Sequence, residues 1–248
     1  MVDSSPRVAL VTGGAARIGR AIVEALAGRG YAVAIHANTS IDEASGLAER
    51  LSQDGAESFV VQADLRDELA TRAMIDQVDA RFGRLDVLIN NAAIFSPSPL
   101  EEVTADKVRE CLDINTLSPF VCSQHAGLKM ASQESGGVIV NIGDWAIERP
   151  YVDYSAYLLS KGAIPTLTRT FAVELSHRNP KVRVNAVLPG PVAPPPTISG
   201  DEWQEAITST LLKRGGTPQN IAQAALFFIE NDFVTGVCLA VDGGRTLA

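Results

Sequence analysis

Tyr157 and Lys161 stand four residues apart in the stretch Ser155-Ala156-Tyr157-Leu158-Leu159-Ser160-Lys161. On a helix such residues share one face, one turn apart. The Lys161 ammonium would then favour the Tyr157 phenolate and lower its pKa from about 10. A phenol tuned towards neutrality can give or take a proton in a redox step that moves hydride. Tyr and Lys four apart also occur by chance on many helices, so the pair gains meaning only from the elements around it.

Those elements alternate. Short β-branched runs are expected as strands at 7–12, 31–36, 58–63, 85–90, 137–142, 182–188 and 236–241. Amphipathic stretches at 17–28, 41–53, 67–82, 104–131, 155–177 and 222–229 read as helices. Continuous apolar strands alternating with helices define an α/β fold, a parallel sheet covered on both faces. Right-handed crossovers make it doubly wound, with ligands at the carboxyl ends of the strands. The Pro-rich stretch Pro189–Gly200, with Pro194-Pro195-Pro196, reads as an exposed loop placed to close over a substrate.

Composition narrows the partners. The chain has 248 residues, 46% of them apolar, and a formal net charge of -8. Bulk charge of that sign disfavours nucleic acid and anionic membrane. No apolar run approaches the roughly 18 residues that span a bilayer. The first residues carry no basic segment followed by an apolar core, so no secretory signal is visible and a cytoplasmic location is expected. Cys111, Cys122 and Cys238 are widely spaced and odd in number, which suggests a reducing compartment and three small buried hydrophobes. His36, His125 and His177 are too scattered for a metal cluster, and no metal is expected.

The stretch Thr12-Gly13-Gly14-Ala15-Ala16-Arg17-Ile18-Gly19 joins the first strand to the first helix. Glycines permit a tight turn, and a helix N-terminus offers free N–H groups and a positive dipole end to a pyrophosphate. The spacing is not G-x-G-x-x-G, and a Gly-rich turn can also serve packing alone.

With the rest of the chain this motif resembles the short-chain dehydrogenase/reductase family, over essentially the whole length. Besides Tyr157 and Lys161, the matching features are Asp64 in Ala63-Asp64-Leu65, Asn90-Asn91-Ala92, Asn115, Pro189-Gly190 and Asp242-Gly243-Gly244. The resemblance implies NAD(P)H-dependent hydride transfer by one Rossmann-type domain over 1–248. It implies about seven strands in the order 3-2-1-4-5-6-7, helices on both faces and a substrate loop around 189–215. It assigns cofactor contacts to Gly13, Arg17, Ile18, Gly19, His36, Asn38, Thr39, Ser40, Asp64, Leu65, Asn91, Ala92, Ala93, Tyr157, Lys161, Pro189 and Gly190. Asn115 would hold a water on a proton relay to Lys161. A homotetramer or homodimer is implied, through the 104–131 region and the helix carrying Tyr157.

Two positions depart from the family's usual pattern. Arg17 replaces a third glycine, so the backbone must tolerate a side chain there. Its guanidinium suits phosphate or another anion, against the alternative of a surface Arg at a helix start. Asp144 stands thirteen residues before Tyr157, where the family places a Ser that donates to a substrate carbonyl. An ionised carboxylate cannot donate. Burial could keep it protonated, or it could accept N–H bonds from a nitrogen heterocycle.

Both departures resemble the pteridine reductase branch of the family, which also has an aromatic residue shortly after Asn-Asn-Ala. Phe95 fills that position, and a flat heterocycle would stack on it. The substrate contacts implied are Arg17, Phe95, Asp144, Trp145 and Tyr157. After the second strand comes Ile35-His36-Ala37-Asn38-Thr39-Ser40, with no acid to hold a ribose 2′-hydroxyl, which favours NADP(H). Thr39 and Ser40 either contact a 2′-phosphate or cap the next helix, or do both. The leading reading is reduction of a dihydropterin- or folate-like ring, catalysed by Asp144, Tyr157, Lys161 and Asn115. A ketone or 3-oxoacyl reductase, and a non-catalytic NADP sensor, are the alternatives.

Overall fold

The computed structural model describes residues 6–194 and 199–248. Seven strands form one sheet: β1 (Val8–Val11), β2 (Ala32–Ala37), β3 (Ser58–Gln62), β4 (Val87–Asn90), β5 (Gly137–Ile142), β6 (Val182–Pro189) and β7 (Cys238–Val241). Every neighbouring pair is parallel, in the expected order β3-β2-β1-β4-β5-β6-β7. The sheet reverses direction of travel between β1 and β4, which opens a crevice at their carboxyl ends.

Nine α-helices are described: α1 (Arg17–Ala27), α2 (Ile41–Gln53), α3 (Glu68–Phe82), α4 (Ala105–Leu112), α5 (Ser118–Ser132), α6 (Ser155–Gly162), α7 (Ile164–Arg178), α8 (Gly200–Thr208) and α9 (Pro218–Glu230). Side-chain alternation along the strands splits the core in two. Ala9 and Val11 of β1 pack with α1, α2 and α9 through Leu26, Leu47 and Phe228. Val8 and Leu10 face the other way, onto Met74 of α3, Met130 of α5 and Leu175 of α7. Both faces are therefore covered, and the strands read as unbroken apolar runs for that reason.

Three expectations change. The helix expected over 104–131 is interrupted by a π turn at Asp113–Leu117 between α4 and α5. Pro119 has no N–H for the carbonyl four residues back, that of Asn115, and the ladder widens there. The helix expected over 155–177 divides at Ala163 into α6 and α7, with Pro165 in the first turn of α7. The substrate loop expected around 189–215 is partly helical, because α8 begins at Gly200. Ser199 and Glu202 cap it reciprocally, an N-terminal signature passed over in the sequence. Pro195 and Pro196 lie outside the described residues.

Cys111 and Cys122 are buried, but Cys238 on β7 is only half-buried, so it is not the core hydrophobe expected. Among the described residues no helix is long and apolar enough to cross a membrane. No group of three or more His, Cys, Asp or Glu among them is placed to hold a metal.

Candidate active site

One cleft of about 760 Å³ runs across the carboxyl ends of the strands. The expected cofactor and substrate residues all line it. Asn115 does not: it is fully buried beneath the floor.

The cofactor end is made of backbone held by short polar side chains. Gly13 is left-handed, at φ 61°. Its N–H donates to His36 Nδ1 (3.0 Å), and the Gly14 N–H donates to the His36 carbonyl (2.9 Å). His36 Nε2 is 3.0 Å from the Ala63 carbonyl, so the ring carries its proton on Nε2 and accepts on Nδ1. Burial holds the His36 pKa below its ordinary value. His36 lines the cleft where a cofactor contact was expected, and both its ring nitrogens are spent on tying the glycine turn to the residue after the third strand. Thr12 Oγ1 accepts from the Asn91 and Ala92 N–H groups, and Asn91 Nδ2 returns bonds to the Thr12 and Gly13 carbonyls. A Cβ at Gly19 would lie 2.1 Å from the Gly13 carbonyl oxygen, so only glycine fits.

Helix α1 opens on this turn without a cap. Its N-cap is Ala16, with no side-chain bond and no acid in the first turn. By contrast Asp67 caps α3 and Thr104 caps α4 with side-chain oxygens. Bare N–H groups at a dipole's positive end, lining a cleft, suit a pyrophosphate. Arg17 sits here at φ 53°, so the chain places a side chain where glycine is the easy residue. Its guanidinium reaches across the cleft mouth to the Ala193 carbonyl (2.7 Å).

At the end of β2, Ser40 is the N-cap of α2 but makes no side-chain cap bond. The capping alternative is therefore not realised. The Thr39 and Ser40 hydroxyls face the cleft free of hydrogen-bonded partners among the described residues. Asp64 is clamped by Arg66 at 2.5 Å, which holds its carboxyl below the usual carboxylate range. Gly190, after β6, packs so tightly on Asp242 that a Cβ would lie 2.4 Å from its Cα.

The reacting end is made of side chains. Tyr157 and Lys161 lie on α6 as expected, but their relation differs. The Tyr157 hydroxyl donates to Asp144 Oδ2 at 2.5 Å, while Lys161 Nζ donates to the Ile142 carbonyl at 2.8 Å. Burial, followed by the nearby Asp144 charge, pushes the Tyr157 pKa up rather than down. Burial lowers Lys161 to about 8, with Asp144 acting in the opposite sense. The expected lowering of the phenol by Lys161 is thus absent; burial and the carboxylate prevail. Asp144 caps the short 3₁₀ turn Trp145–Ile147 through the Ala146 N–H (2.8 Å), and desolvation raises its own pKa.

Asn115 holds this end together from below. Its Nδ2 donates to the Ile94 carbonyl and Ser160 Oγ, both at 3.0 Å, and its Oδ1 accepts from the Ile94 N–H at 2.9 Å. Ser160 Oγ in turn donates to the Tyr157 carbonyl (2.6 Å). The Asn115 amide is committed to joining the strand-β4 loop to α6, so a relay water would have to meet its backbone carbonyl instead.

Phe95 stacks on Tyr154, with centroids 4.6 Å apart and planes at 25°, and meets Tyr157 edge-on at 4.8 Å. Tyr151 joins Tyr154 at 5.0 Å and Trp145 at 6.2 Å. The sequence reading missed Tyr151, Tyr154, Trp203 and Arg245, which all line the cleft. Tyr151, Tyr154 and Tyr157 repeat every three residues, a signal that was there to be read. Nothing local marks Trp203 or Arg245, which arrive from α8 and the last turn.

Fold and cleft define a Rossmann-type oxidoreductase. The family model described as Enoyl-(Acyl carrier protein) reductase matches residues 13–246. An uncharacterized oxidoreductase, YgfF, of Escherichia coli K12 is 36% identical, over 96% of this chain and 99% of its own length. The 7alpha-hydroxysteroid dehydrogenase of the same organism is 32% identical, over 96% and 93%. Among solved structures, FolM alternative dihydrofolate reductase 1 from Brucella suis, in complex with NADP, superposes with a TM-score of 0.90 at 33% identity, covering 100% of this chain and 97% of that one. The chain belongs to the short-chain dehydrogenase/reductase family.

Proposed function

We propose that the protein is an NADPH-dependent reductase of a pterin-like ring, in the dihydropterin or folate class. The observation that carries this reading is the Tyr157–Asp144 hydrogen bond of 2.5 Å beside the ring of Phe95. A carboxyl at that place suits a nitrogen heterocycle, whose N–H groups it can accept. The NADP complex of the similar FolM structure supports the choice of cofactor.

The residues present fit that cofactor. The uncapped start of α1 would receive the pyrophosphate, with Gly13, Ile18 and Gly19 allowing close approach. Thr39 and Ser40, with Arg17 nearby, would hold a 2′-phosphate, and Asp64 and Leu65 the adenine. Asn91, Ala92, Ala93, Pro189 and Gly190 would border the nicotinamide half. A bound NADPH would supply the hydride that reduces the C=N carbon of the substrate.

Tyr157 gives its hydroxyl proton to the ring nitrogen, and a proton taken up from solvent, directly or through Asp144, restores it. Lys161 carries positive charge at the floor and binds the nicotinamide ribose. Asn115 positions Tyr157 through Ser160. Phe95 and Trp145 flank the ring, and Phe95 takes part by exchanging its Tyr154 neighbour for substrate. From the 189–215 segment, Val192, Trp203 and Ala206 border the substrate end. Leu117, Phe120, Leu128, Leu159 and Val173 leave apolar surface exposed on α5, α6, α7 and the π turn, which supports a homo-oligomer through these helices. A cytoplasmic location is part of the same proposal.

A second reading, reduction of a ketone, draws support from the similar 7alpha-hydroxysteroid dehydrogenase. Steady-state NADPH oxidation separates the two. The pterin reading expects turnover of a 7,8-dihydropterin well above that of a ketone panel, lost in Asp144→Ala. Turnover of ketones alone, unchanged in Asp144→Ala, would refute it.

A further inference from the structure

We infer that the outer end of the cleft is an anion subsite built on Arg245, so that the substrate carries a carboxylate beyond its reacting ring. This rests on the reductase reading above, and the test below separates the two.

Arg245 is presented by a turn made for the purpose. After β7, the Asp242 carboxylate accepts from the Gly244 N–H (2.9 Å), the Thr246 N–H (2.7 Å) and the Thr246 hydroxyl (2.6 Å). Those bonds grip the chain on both sides of Arg245. Gly243 and Gly244 take left-handed φ values of 64° and 78°, which fold the backbone over the end of the sheet. The side chain then lies over Trp145, with its guanidinium carbon 5.2 Å from the ring centroid. Trp145 follows Asp144 directly, so the cation stands one residue from the carboxyl that bonds Tyr157.

The guanidinium is underused. It has five N–H donors and, among the described residues, makes one hydrogen bond, to the Ser209 carbonyl at 3.2 Å. No carboxylate among the described residues lies within ion-pair distance of it, whereas half-buried Arg72 pairs with Glu68 and Gln124. Burial lowers the Arg245 pKa, and the nearby Arg149 cation adds to that lowering. Two acids of α8 line the same cleft, and Glu205 acts on Arg245 directly. Glu202 is committed to the Ser199 N–H, and Glu205 has no side-chain bond among the described residues. An anion entering here would meet a partly desolvated cation and a free fork of donors, with Glu205 as its internal rival. The aromatic wall of Trp145 and Tyr151 beside it suits a flat body joined to that anion.

The test compares two 7,8-dihydropterins, dihydrofolate with its anionic benzoylglutamate arm and dihydrobiopterin with an uncharged one. Arg245→Met keeps the stem over Trp145 and removes the charge. The expected result is a KM for dihydrofolate raised about tenfold or more, with kcat and the KM for dihydrobiopterin within about twofold. Equal change for both substrates, or none, would overturn the subsite. If neither pterin is reduced, the reductase reading fails and the subsite is read by calorimetry. There, 4-aminobenzoylglutamate is titrated into the NADP⁺-loaded protein. Binding weakened about tenfold in Arg245→Met and tightened in Glu205→Gln would uphold it, while no binding to the wild type would overturn it.

Discussion

The two ends of the cleft are built on opposite plans. At the glycine-turn end the cleft is lined largely by backbone, and side chains such as His36, Thr12 and Asn91 hold that backbone still. At the reacting end the backbone is remote, and the surface is made of Tyr157, Asp144, Phe95, Tyr154 and Trp145. The first plan makes a site that tolerates almost no change of shape and serves one ligand part. The second fixes a proton donor and leaves the walls free to vary with the substrate.

That contrast can be broken most directly at Tyr157. Tyr157→Phe keeps the ring packing on Phe95 and removes the proton. The loss in kcat should be about 10²–10⁴-fold, with NADPH affinity nearly unchanged by fluorescence titration. The mirror experiment is Gly19→Ala. With a Cβ 2.1 Å from a carbonyl oxygen, the turn must shift, costing about 1–3 kcal/mol or more. NADPH affinity should fall while the reacting end keeps its geometry. Gly46→Ala in α2, where a Cβ meets nothing closer than 3.8 Å, is the control and should raise Tm, since alanine is favoured over glycine in helices by about 0.5–1 kcal/mol.

His36 sharpens the comparison through pH. Burial lowers its pKa below 6.5 in the folded chain. Above 6.5 it is neutral both folded and unfolded, and its bond from the Gly13 N–H is intact. As pH falls below 6.5 the unfolded chain takes up the proton first, so stability declines down to the folded pKa. NADPH binding should weaken only lower, at and below the folded pKa, where Nδ1 of the folded chain takes up the proton and faces the Gly13 donor. In His36→Phe this component of the pH dependence of Tm should vanish, with a loss of about 1–3 kcal/mol at pH 7 for the orphaned N–H.

The smallest effect is at Arg17, where the two ends meet. A left-handed non-glycine residue costs of order 1–3 kcal/mol, so Arg17→Gly should raise Tm. The KM for NADPH or for substrate should rise in the same variant. A variant that is more stable and unimpaired would remove Arg17 from the site.

The same contrast explains what could be read in the sequence. Buried parallel strands leave unbroken apolar runs, so the element positions and the parallel sheet were legible, as was the glycine turn, while the strand order came only with the family resemblance. Asp144 and Phe95 were legible because each replaces or follows a motif at fixed spacing. The breaks at 113–117 and 163 were not foreseen, though Pro119 and Pro165 mark them. The chemistry of Tyr157 was misjudged, because helical spacing places Lys161 near it but does not show that Ile142 holds the ammonium and Asp144 the phenol. Trp203 and Arg245 reach the cleft only through tertiary folding, from segments 46 and 88 residues beyond Tyr157.

The central claim is that one cleft binds the nucleotide at its rigid end and completes proton-coupled hydride transfer at the other. A single-turnover mix of NADPH-loaded protein with excess 7,8-dihydropterin, followed by dihydronicotinamide absorbance, tests it most directly. The account predicts loss of one NADPH per site with tetrahydropterin formed in equal amount, abolished in Tyr157→Phe. NADPH that binds tightly yet survives both with the pterin and with a ketone panel would contradict it.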